Sequence, residues 1–535
     1  MFGKKKKRVA YLRSIWGKSL DKYRDFDLIA LYHNMIKSNG DGVFVDDRTW
    51  NDLDFNSVYS LIDRNISGVG QQYLYHLLHR YEKDEDVLKR RFKLISEFKR
   101  NRVLRENVQL SLLRLSGSSS YFISYLALSK DLPFTKYYPL FYLCSLLSVA
   151  SLFLISFKGV FLLLALSVLL MNLIINKIFS KNIYEYFTGF SGLNTLILSA
   201  ISIGKITTPV KIEELNFLRR QVHLLTSLKK KLGYLVIDKV SLNEFARAGI
   251  EYLNMFLLYD IITYYRSVNI LRKHQNEIRK VFETVAWLDA SIAISSYLAE
   301  VPLYSKPIFN SSNTISFRNL YHPLIQDAVM NSVENISDSS LITGSNMSGK
   351  TTFIKTVGIN FILSQALYFS LSDEIILPKR IVRSAIRRNE DLEEGKSYFF
   401  VEIELLNEFV RLSEENERYL FLIDEIFRGT NTVERLASST AVLKYLNAKN
   451  TVFVTTHDIE LQSLLENNFG MFHFSEQVEN GRFFFDYKIK PGPCSSGNAI
   501  KLLGIMKYPY SILEEAETIV KKLSSNGTMV VNKIK

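Results

Sequence analysis

Residues 339–352 read Ser339-Ser340-Leu341-Ile342-Thr343-Gly344-Ser345-Asn346-Met347-Ser348-Gly349-Lys350-Thr351-Thr352. An apolar-ended stretch runs into a glycine-bounded turn and then into Lys-Thr. That order predicts a strand, a phosphate-binding loop and a helix opening at Thr351. The glycines let backbone N–H groups turn inward around a triphosphate. Lys350 is placed to reach the β- and γ-phosphates, and the Thr351 hydroxyl to hold Mg²⁺. The helix N-terminus adds its positive dipole end to the same anion. The expected ATP contacts are therefore Gly344, Ser345, Asn346, Met347, Ser348, Gly349, Lys350, Thr351 and Thr352.

Downstream, Tyr419-Leu420-Phe421-Leu422-Ile423-Asp424-Glu425 is an apolar run ending in two acids. Such a run reads as a buried parallel strand that delivers carboxylates to the C-terminal edge of a sheet. Asp424 is placed to organise the Mg²⁺ shell, and Glu425 to orient or deprotonate the attacking water. A third run, Thr451-Val452-Phe453-Val454-Thr455-Thr456, ends at His457-Asp458. A histidine there can sense the γ-phosphate or hold the water. Taken alone it could equally be a hydrogen-bonded structural histidine. Its place straight after a buried strand of a P-loop fold favours the catalytic reading.

After Glu425 come Ile426-Phe427-Arg428-Gly429-Thr430-Asn431-Thr432. This run closely resembles the Walker B segment and adjoining loop of the MutS family of DNA mismatch-repair ATPases. The P-loop, the segment Ser397-Tyr398-Phe399-Phe400-Val401-Glu402-Ile403-Glu404, the pair Thr456-His457 and the stretch Ser495-Ser496-Gly497-Asn498-Ala499 are similar to motifs of that family in the same order. His322-Pro323 and Asn331 fall where the family has a His-Pro strand and an Asn near the adenine. The resemblance covers about residues 315–520. It implies an ABC-like α/β P-loop ATPase with ATP and Mg²⁺, a homodimer, and DNA as partner. It places Arg428, Gly429, Thr430 and Asn431 near the nucleotide of the partner copy, and Asn331 near the adenine. Upstream, Asp54 to Phe98, with Ser67-Gly68-Val69-Gly70 inside it, is similar to the start of the family's helical core. Ile278, Val281, Phe282, Val285 and Leu288 stand at helical spacing, as the family's lever helices require.

The family's mismatch-reading domain would need a few hundred residues before that core, with a Phe-x-Glu wedge. Here about 50 residues precede Asp54 and none of them carries the wedge. Phe400-Val401-Glu402 has the letters but falls within the expected ATPase domain. Asn431 replaces a Ser common in the family's loop.

The chain has 535 residues, room for three or four domains, and a net charge of +13. A basic balance favours nucleic acid or an anionic membrane as partner. Lys4-Lys5-Lys6-Lys7-Arg8 is its densest cluster, either a solvated tail or a hold on lipid or DNA phosphates. Lys229-Lys230-Lys231, Arg272-Lys273 and Arg279-Lys280 are either solvated helix faces or phosphate contacts. The two cysteines, Cys144 and Cys494, are far apart and lack metal-ligand spacing, as expected in a reducing compartment.

Residues 138–157 carry no charge over 20 positions, and after Lys158-Gly159 another 17 uncharged residues run from Val160 to Asn176. A helix needs about 20 apolar residues to span a bilayer, with ~17–25 tolerated. Neither stretch shows the polar face of a soluble helix. They predict a transmembrane helical hairpin, with a buried soluble hairpin as the alternative. Lys136, Lys177 and Lys181 flank the open end against Lys158 at the tip, which places both soluble parts in the cytoplasm. Ile250–Tyr264 is also apolar, but Glu251 and Asp260 interrupt it. It is expected as a core or dimer-facing helix.

The expected architecture is a basic segment over 1–50, a helical core over 51–135, the membrane hairpin over 136–178 and a helical lever and clamp-like region over 179–304. The C-terminal P-loop ATPase follows over 305–525, with a tail over 526–535. The expected function is a dimeric, membrane-anchored ATPase that binds DNA, in mismatch repair or recombination-related transactions. The alternative is a membrane-anchored, nucleotide-switched scaffold that does not bind DNA. An ABC transporter would carry a Leu-Ser-Gly-Gly-Gln-like signature before Asp424, and residues 405–418 show none.

Overall fold

A computed structural model describes residues 2–519 apart from 39, 41, 130–135, 137, 234–243, 313, 337–338, 346, 387–397, 428–430, 480–481, 495–502, 504–505 and 507. The chain forms two compact units. One comprises Met1–Gly42, Leu61–Leu77 and Lys93–Glu300. The other comprises Val43–Ser60, Leu78–Phe92 and Val301–Lys535.

Among the described residues, helices precede every strand. They are α1 (Phe2–Ile15), α2 (Phe26–Lys37), α3 (Asp47–Asp52), α4 (Phe55–Ile62), α5 (Gly68–His79), α6 (Glu85–Arg100), α7 (Arg102–Leu112), α8 (Ile123–Leu128), α9 (Tyr138–Ile155), α10 (Phe161–Gly204), α11 (Glu213–Gly233), α12 (Glu244–Leu257), α13 (Tyr259–Arg272) and α14 (Gln275–Tyr297). The core of the first unit gathers on α14, whose Ile278, Val281, Phe282, Val285 and Leu288 are all buried. These are the five positions whose spacing predicted a helix. Asp289, one residue further on, accepts from the backbone N–H groups of Ile66 and Ser67 at 3.2 and 2.8 Å and from the Ser67 hydroxyl. It thereby satisfies donors at the entry to α5, a service usually given by a neighbouring residue in sequence. Burial pushes the Asp289 carboxyl up to about 6, against the pull of the Ser67 hydrogen bonds.

α9 and the first part of α10 are the two helices long and apolar enough to cross a membrane, by length and composition, among the described residues. Only 22% and 17% of their most apolar windows are buried. Their large side chains, Leu146, Phe153, Leu163 and Leu170 among them, stand exposed. The stretch Ile250–Tyr264 is not one helix: it breaks at Leu258, which takes a left-handed conformation.

The second unit is α/β. Strands β1 (Ile308–Phe309), β2 (Ile315–Leu320) and β3 (Asn331–Ile336) lead to β4 (Ser340–Thr343), α15 (Lys350–Leu367), β5 (Glu374–Leu377), β6 (Ile381–Ala385), α16 (Tyr398–Ser413) and β7 (Tyr419–Asp424). Then come α17 (Thr432–Asn447), β8 (Thr451–Thr456), α18 (Glu460–Leu465), β9 (Gly470–His473), β10 (Glu476–Glu479), β11 (Arg482–Phe485) and β12 (Lys490–Pro491). The main sheet runs β12-β9-β4-β8-β7-β6, parallel except for β12. β1-β5-β2-β3 form a smaller sheet. The apolar runs at 419–423 and 451–456 become the central strands β7 and β8 because both faces of a parallel sheet are covered. In register, Thr343 lies opposite Thr456 and Asp424 opposite Thr455. The chain therefore brings its polar strand ends to one edge.

Candidate functional site

Three of those strand ends build the site. β4 feeds the loop 344–349, and α15 opens at Lys350, one residue before the expected Thr351. Two glycines make the turn. Gly349 has φ +103°, and a Cβ there would sit 3.2 Å from the Tyr487 ring. Gly344 has φ +143°, and its Cβ would lie 2.7 Å from the Phe474 carbonyl. Met347 is also left-handed and almost fully exposed. Lys350 Nζ donates to the carbonyls of Gly344 and Ser345 at 2.8 and 2.7 Å. Ser348 Oγ donates to the Ser345 carbonyl at 2.8 Å. Ser345 Oγ is buried and has no hydrogen-bond partner among the described residues. Asn346 lies outside the described residues.

From the adjacent strand, Asp424 Oδ2 accepts from Thr351 Oγ1 at 2.8 Å, and its other oxygen accepts from Thr455 Oγ1. A hydroxyl and a carboxylate one hydrogen bond apart make the hard-oxygen pair that suits Mg²⁺. Glu425 follows with φ +59°, held by its N–H to the Thr455 carbonyl at 3.0 Å. Its Oε1 is 2.7 Å from His457 Nε2, and that nitrogen is 3.4 Å from Lys350 Nζ. Lys350, His457 and Glu425 thus form one line across the loop.

A cavity of about 500 Å³ opens beside these groups, with Ser345, Met347, Lys350, Thr352, Glu425 and Asn331 in its lining. Asn331 also lines it while serving the backbone: Nδ2 donates to the Tyr487 carbonyl at 3.1 Å, and Oδ1 accepts from Ile489 N–H at 2.9 Å. His322 lines the cavity too. Burial, with the nearby Lys355 charge, pulls its imidazole down to about 4.

Some contacts have no signature in the sequence. Glu402 of α16 accepts from Phe427 N–H at 2.5 Å, just past the acids. Arg435 of α17 grips Asp458 with two hydrogen bonds of 2.9 and 2.8 Å, next to His457. Asn431 caps α17 by accepting from Glu434 N–H at 3.0 Å. Arg428, Gly429 and Thr430, and the segment 495–499, lie outside the described residues. A hint existed only for Thr455: two threonines closing an apolar strand suggest hydroxyls at a polar edge.

A glycine-bounded loop between a buried strand and a helix, faced by an acid-tipped parallel strand, defines a P-loop nucleotide-binding domain. The comparison with known proteins is more particular. Residues 340–524 match the family model described as MutS domain V. A "DNA mismatch repair protein MutS" of Lactobacillus delbrueckii subsp. bulgaricus is 32% identical over 290 residues, 52% of this chain and 33% of the relative. The protein of the same name from Streptococcus agalactiae serotype Ia is 30% identical over 290 residues, 51% of this chain and 33% of its own length. That of Listeria innocua serovar 6a is 28% identical over 292 residues. Through this region the chain is similar to the MutS family. It spans about a third of the length of the curated relatives it matches.

Proposed function

We propose that the chain binds and hydrolyses ATP with Mg²⁺ at the loop between β4 and α15. We propose further that it couples this to DNA as a membrane-anchored homodimer. The observation that carries the reading is the pairing at the loop's mouth, Thr351 with Asp424 at 2.8 Å and Glu425 with His457 at 2.7 Å. Lys350 would exchange its two loop carbonyls for β- and γ-phosphate oxygens. The backbone of 344–349 and the Ser345 hydroxyl would donate to the same phosphates. Thr351 and Asp424 would hold Mg²⁺, which when bound neutralises developing phosphate charge. Glu425 would orient or deprotonate the attacking water, and His457 would fix Glu425 and face the γ-phosphate. Asn346, Met347 and Thr352 would line the nucleotide, with Asn331 and the 487–489 segment toward the base. Arg428, Gly429, Thr430 and Asn431 would act near the partner copy's nucleotide.

Support for DNA comes from the family, from the printed names of the relatives, and from exposed cations at Lys229, Lys230, Lys231, Arg272 and Lys273. Support for the membrane comes from the exposed apolar surface of α9 and α10. The flanking Lys136, Lys177 and Lys181 support a cytoplasmic side for the soluble parts. The exposed hairpin equally favours a second reading, a nucleotide-switched membrane scaffold. The test is steady-state ATP turnover of the full chain in detergent with homoduplex, mismatched and branched DNA, at low and moderate salt. Turnover that changes with DNA and loses the effect in salt supports the DNA reading. Turnover indifferent to every DNA moves the assignment to the scaffold.

A further inference from the structure

The break at Leu258 divides an apolar stretch into α12 and α13, and its surroundings are unusual for a soluble bend. Asn172, fully buried in the middle of the apolar part of α10, donates from Nδ2 to Ser148 Oγ of α9 and to the Phe256 carbonyl of α12, both at 2.8 Å. The end of α12 is thereby tied to the hairpin at the level of Asn172 and Ser148. A second layer lies toward the hairpin's open end. The ring of Phe141 meets Phe179 at 5.1 Å and Tyr265 at 5.7 Å. Phe141 is seven residues before Ser148, Phe179 seven after Asn172, and Tyr265 seven after Leu258. At 1.5 Å of rise per residue the two layers are about 10 Å apart in all three helices. The turn between α12 and α13 therefore lies about 10 Å deeper along the hairpin than its open end.

The chemistry of the turn suits that depth. Residues 252–259 carry no charge, while Glu244, Arg247 and Glu251 precede them and Asp260, Arg266 and Arg272 follow. Tyr252 and Leu253 are 64% and 50% exposed, continuous in character with Leu170 and Ile174 of α10. Non-helical backbone survives at membrane depth only where its polar groups are met inside the protein. Here Leu258 is fully buried, its N–H donates to the Asn254 carbonyl and its own carbonyl accepts from Ile262 N–H. Asp260 N–H donates to Asn254 Oδ1, and Asn172 takes the Phe256 carbonyl. Asp260 itself stands in the first turn of α13, where a helix N-terminus favours a carboxylate.

We propose that α12 and α13 form a re-entrant helical pair that dips into the cytoplasmic leaflet beside the hairpin, with Tyr252 and Leu253 against lipid. This rests on the membrane-anchored reading, and the experiment separates the two. In the full chain with Cys144→Ala and Cys494→Ser, single cysteines replace Leu253, Leu170 of the hairpin, or Tyr445 on the exposed face of α17. Each carries a polarity-sensitive fluorophore in phosphatidylcholine vesicles, with and without lipids bearing a quencher on the acyl chain. The expected result is loss of emission at Leu253 comparable with that at Leu170, and none at Tyr445. Quenching at Leu170 with Leu253 behaving like Tyr445 overturns the re-entrant pair and leaves the hairpin in the bilayer. No quenching at either position overturns both. Tyr252→Cys serves as the second probe where the Leu253 variant fails to fold.

Discussion

β7 with β8, and α9 with α10, are comparably apolar in sequence and opposite in placement. Every residue of β8 and all but the last of β7 are buried, and the polar residues that end them converge on one edge. In α9 and the first part of α10, Phe161–Phe179, most of the apolar surface faces outward. Burying apolar area is worth roughly 25 cal/mol per Å², so an exposed leucine-rich hairpin forfeits in water what the strands gain in the core. The same residue types therefore specify a site in one region and leave apolar surface exposed in the other.

The comparison can be broken from either side. At the buried edge, Asp424→Asn loses well over tenfold in ATP turnover at limiting Mg²⁺, recovered in part at high Mg²⁺, because one of two metal-facing oxygens is replaced. Equal Mg²⁺ dependence of variant and parent would contradict the metal role. On the outer side, Leu170→Arg places a charge at the middle of Phe161–Phe179, on a residue that is 61% exposed. In lipid it costs about 2.5–3.5 kcal/mol of insertion free energy, whereas an exposed substitution in water stays within roughly 0.5 kcal/mol. Fractionation of the variant between membrane and soluble phases reads the difference, and unchanged stability and partitioning would place the hairpin in water.

His322 gives a comparable effect through pH. Its folded imidazole titrates near 4, below the ordinary value of about 6.5. Between those values the unfolded chain binds the proton and the folded chain does not, so stability is intact above about pH 6.5 and falls as pH drops toward 4, by about 3 kcal/mol. Denaturation midpoints measured across that window should fall less steeply in His322→Gln. The smallest effect is expected at Arg435, which lies between the cap of α17 and Asp458. Arg435→Met should slow turnover on the order of tenfold, about 1.4 kcal/mol, with nucleotide affinity retained. A loss of affinity with unchanged turnover would assign the pair to binding.

What was legible follows from the reach of each interaction. The loop 344–351, Asp424-Glu425 and His457 stand next to the apolar strands that carry them, so local pattern is enough to find them. The five-residue stripe of α14 is legible for the same reason. The Arg435–Asp458 and Glu402–Phe427 contacts join segments 23 and 25 residues apart, and Ser67–Asp289 joins segments 222 apart. Spacing within one element says nothing about them. The break at Leu258 was hidden for another reason: leucine is a strong helix former, and the left-handed turn is imposed by packing and by the Asn254 and Asn172 amides.

The most direct test is paired nucleotide binding and turnover in Glu425→Gln. The amide keeps shape and hydrogen bonding but cannot take a proton. The account predicts ATP affinity close to that of the parent with turnover lowered by about 10²–10⁴. Turnover near the parent level would remove Glu425 from the role given to it here.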